Sequence, residues 1–408
     1  MMNTDGNGSS LSQLIGSRRP GLTLEQPFYN SSRIFELDME RIHLRHWQIV
    51  GHVSRLPAAG DYFLYSLGGE SVVIVRDRDG EIRALLNVCR HRGSRICLEE
   101  EGSVRRFVCP YHSWTYGLDG SLLSARHMPD GFDRKDFPLH RCHVRVVEGL
   151  IFICLAEAAP PFDPLARDIS NLFSPHGWPA AKICSRISHV IRANWKLVAE
   201  NFFECYHCLH THPELTSVMS YVRAGESKRF GEELDRYTSR WKKEICRTDH
   251  DPEPFDRGTG IRQHGGRRPI RPGFLTQSRT GQPLAPLMGD YDAYDGGVSS
   301  IMFFPINWLV ATNDYGMATR FTPLSAQETE VELTWLVNPD AVEGVDYDPD
   351  EVTWLWLKTL EEDKEICENN QAGVNSRYYR PGIYSTAEET VDRFCQWYLE
   401  ELGANSPS

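Results

Sequence analysis

The segment from Asn194 to Pro213 constrains the fold of this chain more than any other stretch. Its sequence is NWKLVAENFFECYHCLHTHP. Asparagine is a favoured helix N-cap, and proline ends a helix because it has no N–H to donate and disfavours helical geometry at the residue before it. The segment therefore predicts one helix of about five turns. Apolar residues recur at three- and four-residue steps, the period of a buried stripe: Trp195, Val198, Phe202, Tyr206 and Leu209.

Polar and ionisable side chains interrupt this apolar segment: Glu200, Asn201, Glu204, His207, His210 and His212. Burying carboxylates and imidazoles costs several kcal/mol unless they are paired, hydrogen-bonded or bound to a metal. In an unbroken helix His207 and His212 would lie on different faces, so we expect the second imidazole to come from a frayed last turn. Two imidazoles suit a divalent first-row metal, and one added carboxylate completes the facial triad of non-haem iron(II) oxygenases. The alternative is a helix end with surface histidines.

Composition limits the kinds of protein that this chain can be. Its 408 residues are 40% hydrophobic, which is enough for a sizeable core and two domains. It has no run of eighteen apolar residues and no export signal, so we expect a cytoplasmic protein without a membrane segment. The net charge of −12 argues against a nucleic-acid partner, because phosphate contacts need clustered Lys and Arg. The eleven cysteines indicate metal sites or buried thiols before disulfides.

The hydrophobic periods along the chain predict an α+β protein. Residues 1–20 are polar and are predicted to be a mobile tail, and residues 31–47 are predicted to form an amphipathic helix. After about Gly51 the period changes to two, which predicts a small antiparallel β domain. Its predicted strands are 62–67, 71–76, 81–88, 106–108, 114–118 and 143–155.

The second half of the chain begins less regularly. Residues 215–297 are rich in Gly, Pro and charge and show no lasting period. We expect such a long irregular segment to cover an active site or to contact another subunit. Regular elements then return, with predicted strands at 300–304, 308–311, 317–321 and 330–337, and predicted helices at 348–375 and 386–402.

Two Cys–His pairs lie in the predicted β domain: Cys89-x-His91 and, after seventeen further residues, Cys109-x-x-His112. A Rieske [2Fe–2S] cluster needs two cysteines on one iron and two histidines on the other. The alternative is a structural zinc site, because two cysteines and two histidines also bind zinc. Zinc fingers usually pair Cys with Cys and His with His, so these mixed pairs between strands favour the cluster. The other cysteines form no second cluster pattern, and we expect most of them to be small buried hydrophobes.

Three stretches together resemble the large subunit of Rieske non-haem iron oxygenases. They are CRHRG from Cys89, CPYHSWTY from Cys109 and the segment from Asn194, and the resemblance covers nearly the whole chain from about residue 30. It implies a Rieske domain at 45–157, inserted in a helix-grip catalytic domain made of residues 21–44 and 158–408. It also implies a [2Fe–2S] cluster and a mononuclear Fe(II), held respectively by Cys89, His91, Cys109 and His112 and by His207, His212 and a carboxylate.

The family implies a third iron ligand from an aspartate in a late helix, where this chain has Glu361, Glu362 and Asp363 side by side. Asp363 has apolar residues three before, three after and four after it, so it points from an apolar helix face. Glu362 has charged neighbours on a face that we expect to be solvated. Asp363 also precedes the Gln-Ala-Gly run at 371–373 by the family's usual eight residues. We predict Asp363 as the third ligand, and the alternative is a solvated acidic run.

The resemblance also bears on three more residues between Asn194 and Pro213. His210 competes with His212 because it lies three residues from His207, but the family's four-residue gap favours His212. Glu204 matches the position at which the family bridges cluster and iron between neighbouring subunits of a homotrimer. Many ring-dihydroxylating members have aspartate there, so glutamate is a departure. Glu204 and Asn201 are the predicted catalytic residues beside the metal.

The resemblance also implies the reaction partners. Dioxygen and a small substrate would meet at the Fe(II), and electrons would pass from NAD(P)H through a separate flavin and iron–sulfur reductase to the cluster and then to the iron. No Gly-x-Gly-x-x-Gly fingerprint opens a βαβ unit in this chain. We therefore expect the chain to accept electrons without binding the nicotinamide itself.

For the substrate, Glu204, the acidic run before Gln371 and residues 285–291 are most like the branch that acts on quaternary ammonium compounds such as glycine betaine, choline or carnitine. Aromatic faces hold a permanent cation at roughly 0.5–2 kcal/mol each. Two or three cage residues are expected among Phe203, Tyr206, Phe303, Phe304, Trp308 and Trp354. Hydroxylation of an N-methyl group would give an unstable aminol that loses formaldehyde, which is N-demethylation. The alternatives are an aromatic-ring or aromatic-acid hydroxylase, and a Rieske electron carrier or iron sensor without turnover.

Overall fold

The computed structural model of the protein describes residues 11–220, 227–245, 255–257 and 263–404. Contacts divide the described chain into two compact units, one formed by residues 43–160 and the other by the residues before and after it. The boundaries expected for the inserted domain, 45 and 157, lie two and three residues inside the first unit.

The described residues form helices α1 (Leu11–Gly16), α2 (Pro27–Asn30), α3 (Ser32–Asp38), α4 (Asp163–Phe173), α5 (Trp195–Phe202), α6 (Cys208–Thr211), α7 (Pro213–Val218), α8 (Lys228–Ile245), α9 (Pro349–Val374) and α10 (Glu389–Ala404). The strands are β1 (Gln48–His52), β2 (Asp61–Leu67), β3 (Glu70–Arg76), β4 (Ile82–Leu86), β5 (Glu101–Ser103), β6 (Phe107–Val108), β7 (Thr115–Tyr116), β8 (Leu122–Ser124), β9 (His143–Val147), β10 (Leu150–Cys154), β11 (Lys182–Ile191), β12 (Phe255–Arg257), β13 (Gln263–Pro269), β14 (Gly297–Phe303), β15 (Asn307–Ala311), β16 (Tyr315–Ser325) and β17 (Glu328–Val337).

Residues 43–160 form three small antiparallel sheets, with the strand orders β1-β10-β9, β4-β3-β2-β5 and β6-β7-β8. The prediction of a small antiparallel β domain is therefore confirmed. The run predicted as one strand at 143–155 is two strands, because Glu148 and Gly149 both take left-handed backbone angles and turn β10 back onto β9.

The other unit contains a seven-stranded antiparallel sheet with the order β11-β17-β16-β15-β14-β13-β12. Helix α5 contacts α9, β16 and β17, and α9 also contacts β11. The core of this unit includes Trp195, Trp335, Phe394 and Tyr398, all without exposed surface. The chain is thus α+β, with an antiparallel β domain inserted into a domain of sheet and helices, as predicted. Strands β14 to β17 and helices α9 and α10 lie within a few residues of their predicted bounds.

The register of β13, β14 and β15 arranges side chains in rows across the sheet. His264 is opposite Met302, which is opposite Trp308. Gly266 is opposite Ser300, which is opposite Val310. Directly opposed residues of antiparallel strands point to the same side, so these rows share one face of the sheet.

Two predictions near the N-terminus are wrong in part. Residues 11–16 of the predicted tail form α1, whose apolar side chains pack against the core, while residues 1–10 lie outside the described residues. The predicted helix at 31–47 ends early: α3 continues into a π turn at Met39–His43, and β1 begins at Gln48.

The segment 215–297 is more regular than predicted. It contains α8, an amphipathic helix that buries Trp241 and Ile245 and whose many charged residues hid its period. It also contains β12 and β13, and β13 pairs with β14 over seven positions although its sequence is QHGGRRP. Residues 221–226, 246–254 and 258–262 lie outside the described residues.

Candidate active site

The segment predicted as one helix contains two short helices, α5 and α6, and a third helix, α7, begins at Pro213, the residue that was predicted to end it. The prediction of one helix is therefore wrong. Helix α5 begins after Asn194, whose side chain accepts a hydrogen bond from the amide of Lys196 at 3.0 Å, and it ends at Phe202. Residues 203–207 are not helical, because the Glu204 carboxylate accepts the amide of Tyr206 and holds the chain in a loop. His207 and His212 consequently occupy the positions before α6 and before α7.

Three side chains converge at this break. The Nε2 atoms of His207 and His212 are 3.2 Å apart. Asp363 Oδ1, on α9, is 3.3 Å from the first and 3.1 Å from the second. Two ligands at right angles, each about 2.1 Å from one metal ion, would be about 3 Å apart. Asp363 Oδ1 is buried and accepts no hydrogen bond from any described residue. The three atoms therefore fit one triangular face of an octahedral metal site.

The other nitrogen of each histidine faces a carboxylate. His207 Nδ1 is 2.5 Å from Glu204 Oε1, and His212 Nδ1 is 2.9 Å from Glu362 Oε2. Each imidazole can donate its Nδ1–H to that carboxylate and direct the Nε2 lone pair to a metal. The prediction that Glu362 lies on a solvated face is wrong: its side chain is 17% exposed, because His212 approaches it from the start of α7.

Contacts between the ionisable side chains outweigh burial in setting the charges of this cluster. Burial lowers the pKa of His207, but its contacts with Asp363 and Glu204 raise that pKa to about 9. Burial opposes the charged form of His212 too, yet contacts with Asp363 and Glu362 leave its pKa raised. Burial would raise the pKa of Asp363, but the two imidazoles hold it below the usual value. The carboxylate is thus kept ionised by positive charge, which a divalent cation would also supply.

The neighbouring candidates differ in how close they come to the cluster. Asn201 is near it, with Nδ2 3.4 Å from His207 Nε2. His210 is exposed on α6 and lines no part of the adjoining cavity. Cys208 Sγ is 3.9 Å from His207 Nε2, but it is bonded to Cys205 Sγ in a disulfide and has no thiolate to offer. Most of the cysteines outside the Cys–His pairs were expected to be buried thiols, and Cys205 and Cys208 are exceptions because they form this disulfide.

Not every buried polar residue of α5 belongs to the site. Glu200 accepts hydrogen bonds from the hydroxyls of Tyr29 at 2.7 Å and Tyr384 at 3.1 Å, and burial raises its pKa to about 7. Lys196 forms a fully buried ion pair with Asp38. The protein itself compensates these groups, so they need no metal.

In the unit formed by residues 43–160, the two Cys–His loops lie next to each other. The ring centroids of His91 and His112 are 4.5 Å apart. Cys89 and Cys109 are both buried. The four predicted cluster ligands therefore come from two adjacent loops, one before β5 and one between β6 and β7.

Aromatic side chains support these loops. Trp114 stacks on His91 with ring centroids 4.9 Å apart, and Tyr111 lies 3.8 Å from the ring of His112. The Tyr116 hydroxyl is 3.3 Å from Cys89 Sγ. His91 Nδ1 is buried and has no hydrogen-bond partner among the described residues. A ring nitrogen left without a partner beside two buried sulfurs fits the ligand set of a [2Fe–2S] cluster.

A cavity of about 290 Å³ adjoins the cluster of His207, His212 and Asp363. Its walls include the shared face of β13, β14 and β15. Of the predicted cage residues, Phe203 and Trp308 line it.

The other predicted cage residues do not line this cavity. Tyr206 is 64% exposed, and Phe303 points to the opposite face of β14 from its neighbour Met302. Phe304 packs against Phe203 with ring centroids 4.8 Å apart, and Trp354 lies under the guanidinium of an arginine. These four residues therefore lie outside the cavity, and Phe203 and Trp308 are the two of the six candidates that line it.

Trp356, which was not predicted from the sequence, also lines the cavity. Its ring meets that of Trp308 at 89°, with centroids 4.6 Å apart. Both indole N–H groups have acceptors: Trp308 donates to Ser300 Oγ at 2.9 Å and Trp356 to Gln277 Oε1 at 3.3 Å. The rings are thus fixed as a right-angled corner. The sequence could have indicated this position, because Trp356 lies two helical turns before Asp363 and therefore on the same face of α9.

Two further lining residues, His264 and Arg268, come from β13 and were also missed. No signal pointed to them, because a strand with the sequence QHGGRRP has no apolar alternation. Burial lowers the pKa of His264 to about 4, so its imidazole is neutral near pH 7.

Known families match both parts of the chain. The Rieske [2Fe-2S] domain matches residues 46–140, and the ring hydroxylating alpha subunit (catalytic domain) matches residues 180–404. The glycine betaine monooxygenase oxygenase subunit of Pseudomonas aeruginosa is 38% identical over 397 residues, covering 95% of this chain and 91% of the relative. The corresponding subunit of Chromohalobacter salexigens is 36% identical over 406 residues, covering 97% and 90%.

Solved structures share the fold. The quaternary ammonium Rieske monooxygenase CntA in complex with L-carnitine superposes with a TM-score of 0.68 at 21% identity, covering 95% of this chain and 98% of that one. Naphthalene 1,2-dioxygenase from a Rhodococcus species gives 0.66 at 21% identity, covering 97% and 98%.

These matches decide between several of the alternatives. A Rieske domain carries a [2Fe–2S] cluster and the matched catalytic domain a mononuclear iron, so the predicted cofactors are confirmed and the zinc and electron-carrier alternatives are excluded. Within the described ranges, no helix is both long and apolar enough to cross a bilayer. The chain belongs to the ring-hydroxylating alpha subunits of the Rieske non-haem iron oxygenases.

Proposed function

We propose that this oxygenase subunit hydroxylates an N-methyl group of a quaternary ammonium compound and so demethylates it. One observation carries the proposal: the corner formed by Trp308 and Trp356 in the cavity beside His207, His212 and Asp363. Two fixed ring faces at right angles suit a trimethylammonium group, which has no N–H to donate and binds through cation–π contacts. The relatives named for glycine betaine act on a compound of this class.

The charges around the cavity support aromatic binding of a cation. Among the described lining residues, the carboxylates are Glu204 and Asp363. Glu204 is engaged with His207, and Asp363 with both metal-site histidines. A permanent cation would therefore be attracted mainly by the ring faces, each contributing roughly 0.5–2 kcal/mol.

The proposed reaction balances with dioxygen and NAD(P)H. Iron bound by His207, His212 and Asp363 would activate dioxygen, using electrons supplied through the cluster. One oxygen atom enters a C–H bond of the N-methyl group, and the other leaves as water with two electrons and two protons. The resulting N-hydroxymethyl ammonium breaks its C–N bond and releases formaldehyde, a proton and a tertiary amine.

Within this reaction the protein orients the reactants. The corner of Trp308 and Trp356 would hold the ammonium group beside the metal site. Glu204 and Glu362 accept the Nδ1–H groups of His207 and His212 and thereby fix which nitrogen of each ring faces the metal.

Electrons come from a separate reductase, as for other oxygenase subunits. We propose an NAD(P)H-dependent flavin and iron–sulfur protein in this role. We also propose a homotrimer in which Glu204, besides holding His207, accepts an N–H from a cluster histidine of a neighbouring chain. Inter-subunit electron transfer has been described for CntA. A carboxylate between two imidazoles would join the two centres.

The test is formaldehyde release by the purified chain with a surrogate reductase and NADH. Trimethylammonium compounds should give formaldehyde, and they should bind better than their neutral tert-butyl isosteres. Trp308→Leu and Trp356→Leu should each remove roughly 1–2 kcal/mol of binding free energy from the substrate complex. Each substitution should therefore raise KM by about 5- to 30-fold. Trp354→Leu is the matched control, because this neighbouring tryptophan does not line the cavity. Turnover of an aromatic acid alone would contradict the proposal.

A further inference from the structure

Two cysteines line the cavity beside the metal site. Among the described residues, the cysteines in its wall are Cys205 and Cys208, and His207 lies between them in sequence. A disulfide joins them across the break between α5 and α6. Because thiols can reduce such a bond and oxidants can restore it, the neighbourhood of His207 has two chemical states.

The position of Cys208 Sγ is close to that of a further metal ligand. It is 3.9 Å from His207 Nε2, and one ligand atom from each of His207, Cys208 and His212 lies within 4.8 Å of the other two. A sulfur at about 2.3 Å and a nitrogen at about 2.1 Å from one zinc ion are about 3.6 Å apart at the tetrahedral angle. A small movement of the Cys208 side chain would therefore bring its sulfur to the metal.

The disulfide prevents this movement from producing a ligand. Cysteine binds a metal as the thiolate, and a sulfur that is bonded to Cys205 cannot take that form. In the disulfide state the site has two imidazoles and one carboxylate, which leave coordination positions open and suit Fe(II). In the reduced state the site has two nitrogens, one oxygen and one sulfur, a set of four ligands that suits zinc.

The two sulfurs differ in their access to a reductant. Cys205 is exposed, whereas Cys208 is 4% exposed. An external thiol therefore reacts at Cys205 Sγ, and the S–S bond breaks with release of Cys208 as the first free thiol. A second external thiol frees Cys205, so that two external thiols become one external disulfide. Hydrogen peroxide reverses the change: the two protein thiols give up two electrons and two protons, and the peroxide becomes two molecules of water.

We propose that the disulfide between Cys205 and Cys208 is a redox switch of metal selection, and that its reduction adds Cys208 as a fourth ligand and changes the preferred ion from iron to zinc. Zinc has no redox chemistry, so a reduced chain that binds it is inactive. The two cysteines have unequal roles, because Cys208 is the ligand and Cys205 masks it. This inference concerns the metal site alone and does not depend on which substrate is demethylated.

Cobalt(II) is the probe, because a thiolate bound to it gives a sulfur-to-metal charge-transfer absorption that imidazole and carboxylate ligands do not give. A chelator removes the mononuclear iron anaerobically from protein that keeps its Rieske cluster. Cobalt(II) is then added to peroxide-treated protein and to protein treated with a phosphine reductant that has been removed again. Difference spectra against the same sample without cobalt remove the absorption of the cluster, and peptide mass spectrometry after alkylation records the disulfide state.

In the wild type we expect the absorption only after reduction. Cys205→Ser should show it in both states, because Cys208 then has no partner, and Cys208→Ser should show it in neither. Cys184→Ser is the matched control, because this half-buried thiol on β11 does not line the cavity, and it should behave as the wild type does. Zinc affinity, measured by competition with a chelator, should rise by about tenfold or more when the wild type is reduced.

Three results would each overturn the switch. The first is a pair of free thiols at Cys205 and Cys208 that peroxide does not join. The second is cobalt bound to reduced wild-type protein without the charge-transfer absorption. The third is the same absorption in Cys205→Ser and Cys208→Ser, which would leave the disulfide a structural role only. The comparison of oxidised and reduced wild type needs no substitution, so it decides the matter even where a variant loses its cluster.

Discussion

At the scale of single residues, the metal site consists of one carboxylate oxygen and two imidazole nitrogens. Asp363 Oδ1 and the two Nε2 atoms face one another at 3.1–3.3 Å, while the Nδ1 atoms are held by Glu204 and Glu362. His207, His212 and Asp363 were predicted from residue types and helix faces together with the resemblance to the family. Glu362 was misjudged, because its solvent-facing neighbours in sequence say nothing about an imidazole that arrives from another element.

Asp363→Ala should remove the mononuclear iron and leave the cluster. The variant keeps both histidines but loses the carboxylate that compensates the metal's charge, so total iron should fall by about one third while the Rieske electron paramagnetic signal persists. Metal analysis and spectroscopy on anaerobic protein measure both. His112→Ala is the reciprocal variant, expected to lose the Rieske signal, and a signal lost in Asp363→Ala instead would contradict the assignment.

Glu200→Gln should change how stability depends on pH. Burial raises the folded-state pKa of Glu200 to about 7 from its ordinary value of 4.5. Between these values the folded state holds a proton that the unfolded state has lost, so stability falls as pH rises through that window. Glutamine cannot ionise, so the variant does not lose stability in this way. Between pH 4 and pH 8 its free energy of unfolding should therefore rise by on the order of 3 kcal/mol relative to that of the wild type.

Thermal or urea unfolding at several pH values measures the Glu200 effect. Glu361→Gln is the control, because that carboxylate is exposed on α9. A constant difference between Glu200→Gln and the wild type across the whole range would show that the pKa of Glu200 is the same in the folded and unfolded states and would contradict the prediction.

At the scale of elements, strands with alternating apolar residues and hairpin turns could be predicted, and elements held by their neighbours could not. Strand β13 has hardly any β-favouring residue and exists because its backbone pairs with β14. The break between α5 and α6 was missed for a related reason. Its cause is a side-chain contact from Glu204 to the backbone of Tyr206, which competes locally with the helix. Both prediction errors affect the site, because β13 supplies the cavity residue Arg268 and the break positions His207.

Gly316→Ala should destabilise the seven-stranded sheet. A Cβ at this position of β16 would lie 2.5 Å from three atoms of the Trp178 indole, and that side chain is fully buried and cannot move away. Overpacking of this kind costs about 1–3 kcal/mol. The melting temperature should fall by several degrees. Gly373→Ala is the matched control: nothing lies within 4 Å of its Cβ on α9, so alanine should be neutral or slightly stabilising there.

At the scale of the whole molecule, the resemblance predicted two domains, each with its own metal centre, and contacts divide the described chain into two compact units. Contacts between chains could not be predicted in the same way. A single sequence carries residues suited to both sides of a contact but no record of the partner's position, and Glu204 is known here only through its bonds to His207 and Tyr206. The proposed trimer therefore has to be tested by its electron transfer.

Glu204→Gln should keep cluster and iron contents near those of the wild type and strongly reduce NADH-coupled turnover. Glutamine preserves size but replaces the charged acceptor that holds His207 at 2.5 Å and that, in the proposed trimer, also accepts a cluster histidine of the next chain. Reduction of the cluster by the external reductase should stay near normal, because that step does not involve Glu204. Rapid-mixing spectroscopy of cluster reduction and reoxidation separates the two steps, and reoxidation at the wild-type rate would contradict this role.

A mixed assembly decides whether the transfer crosses between chains. His112→Ala lacks a working cluster and Asp363→Ala lacks the mononuclear iron, so each protein alone should be inactive. If the electron passes from the cluster of one chain to the iron of its neighbour, co-expressed chains carrying separate tags should regain turnover in doubly purified assemblies, because some contacts then join an intact cluster to an intact iron. Adding Glu204→Gln to the chain that keeps its iron should abolish this regained activity, whereas adding it to the other chain should not. Inactive mixed assemblies, or a fully active monomer, would mean that both centres of one reaction belong to one chain.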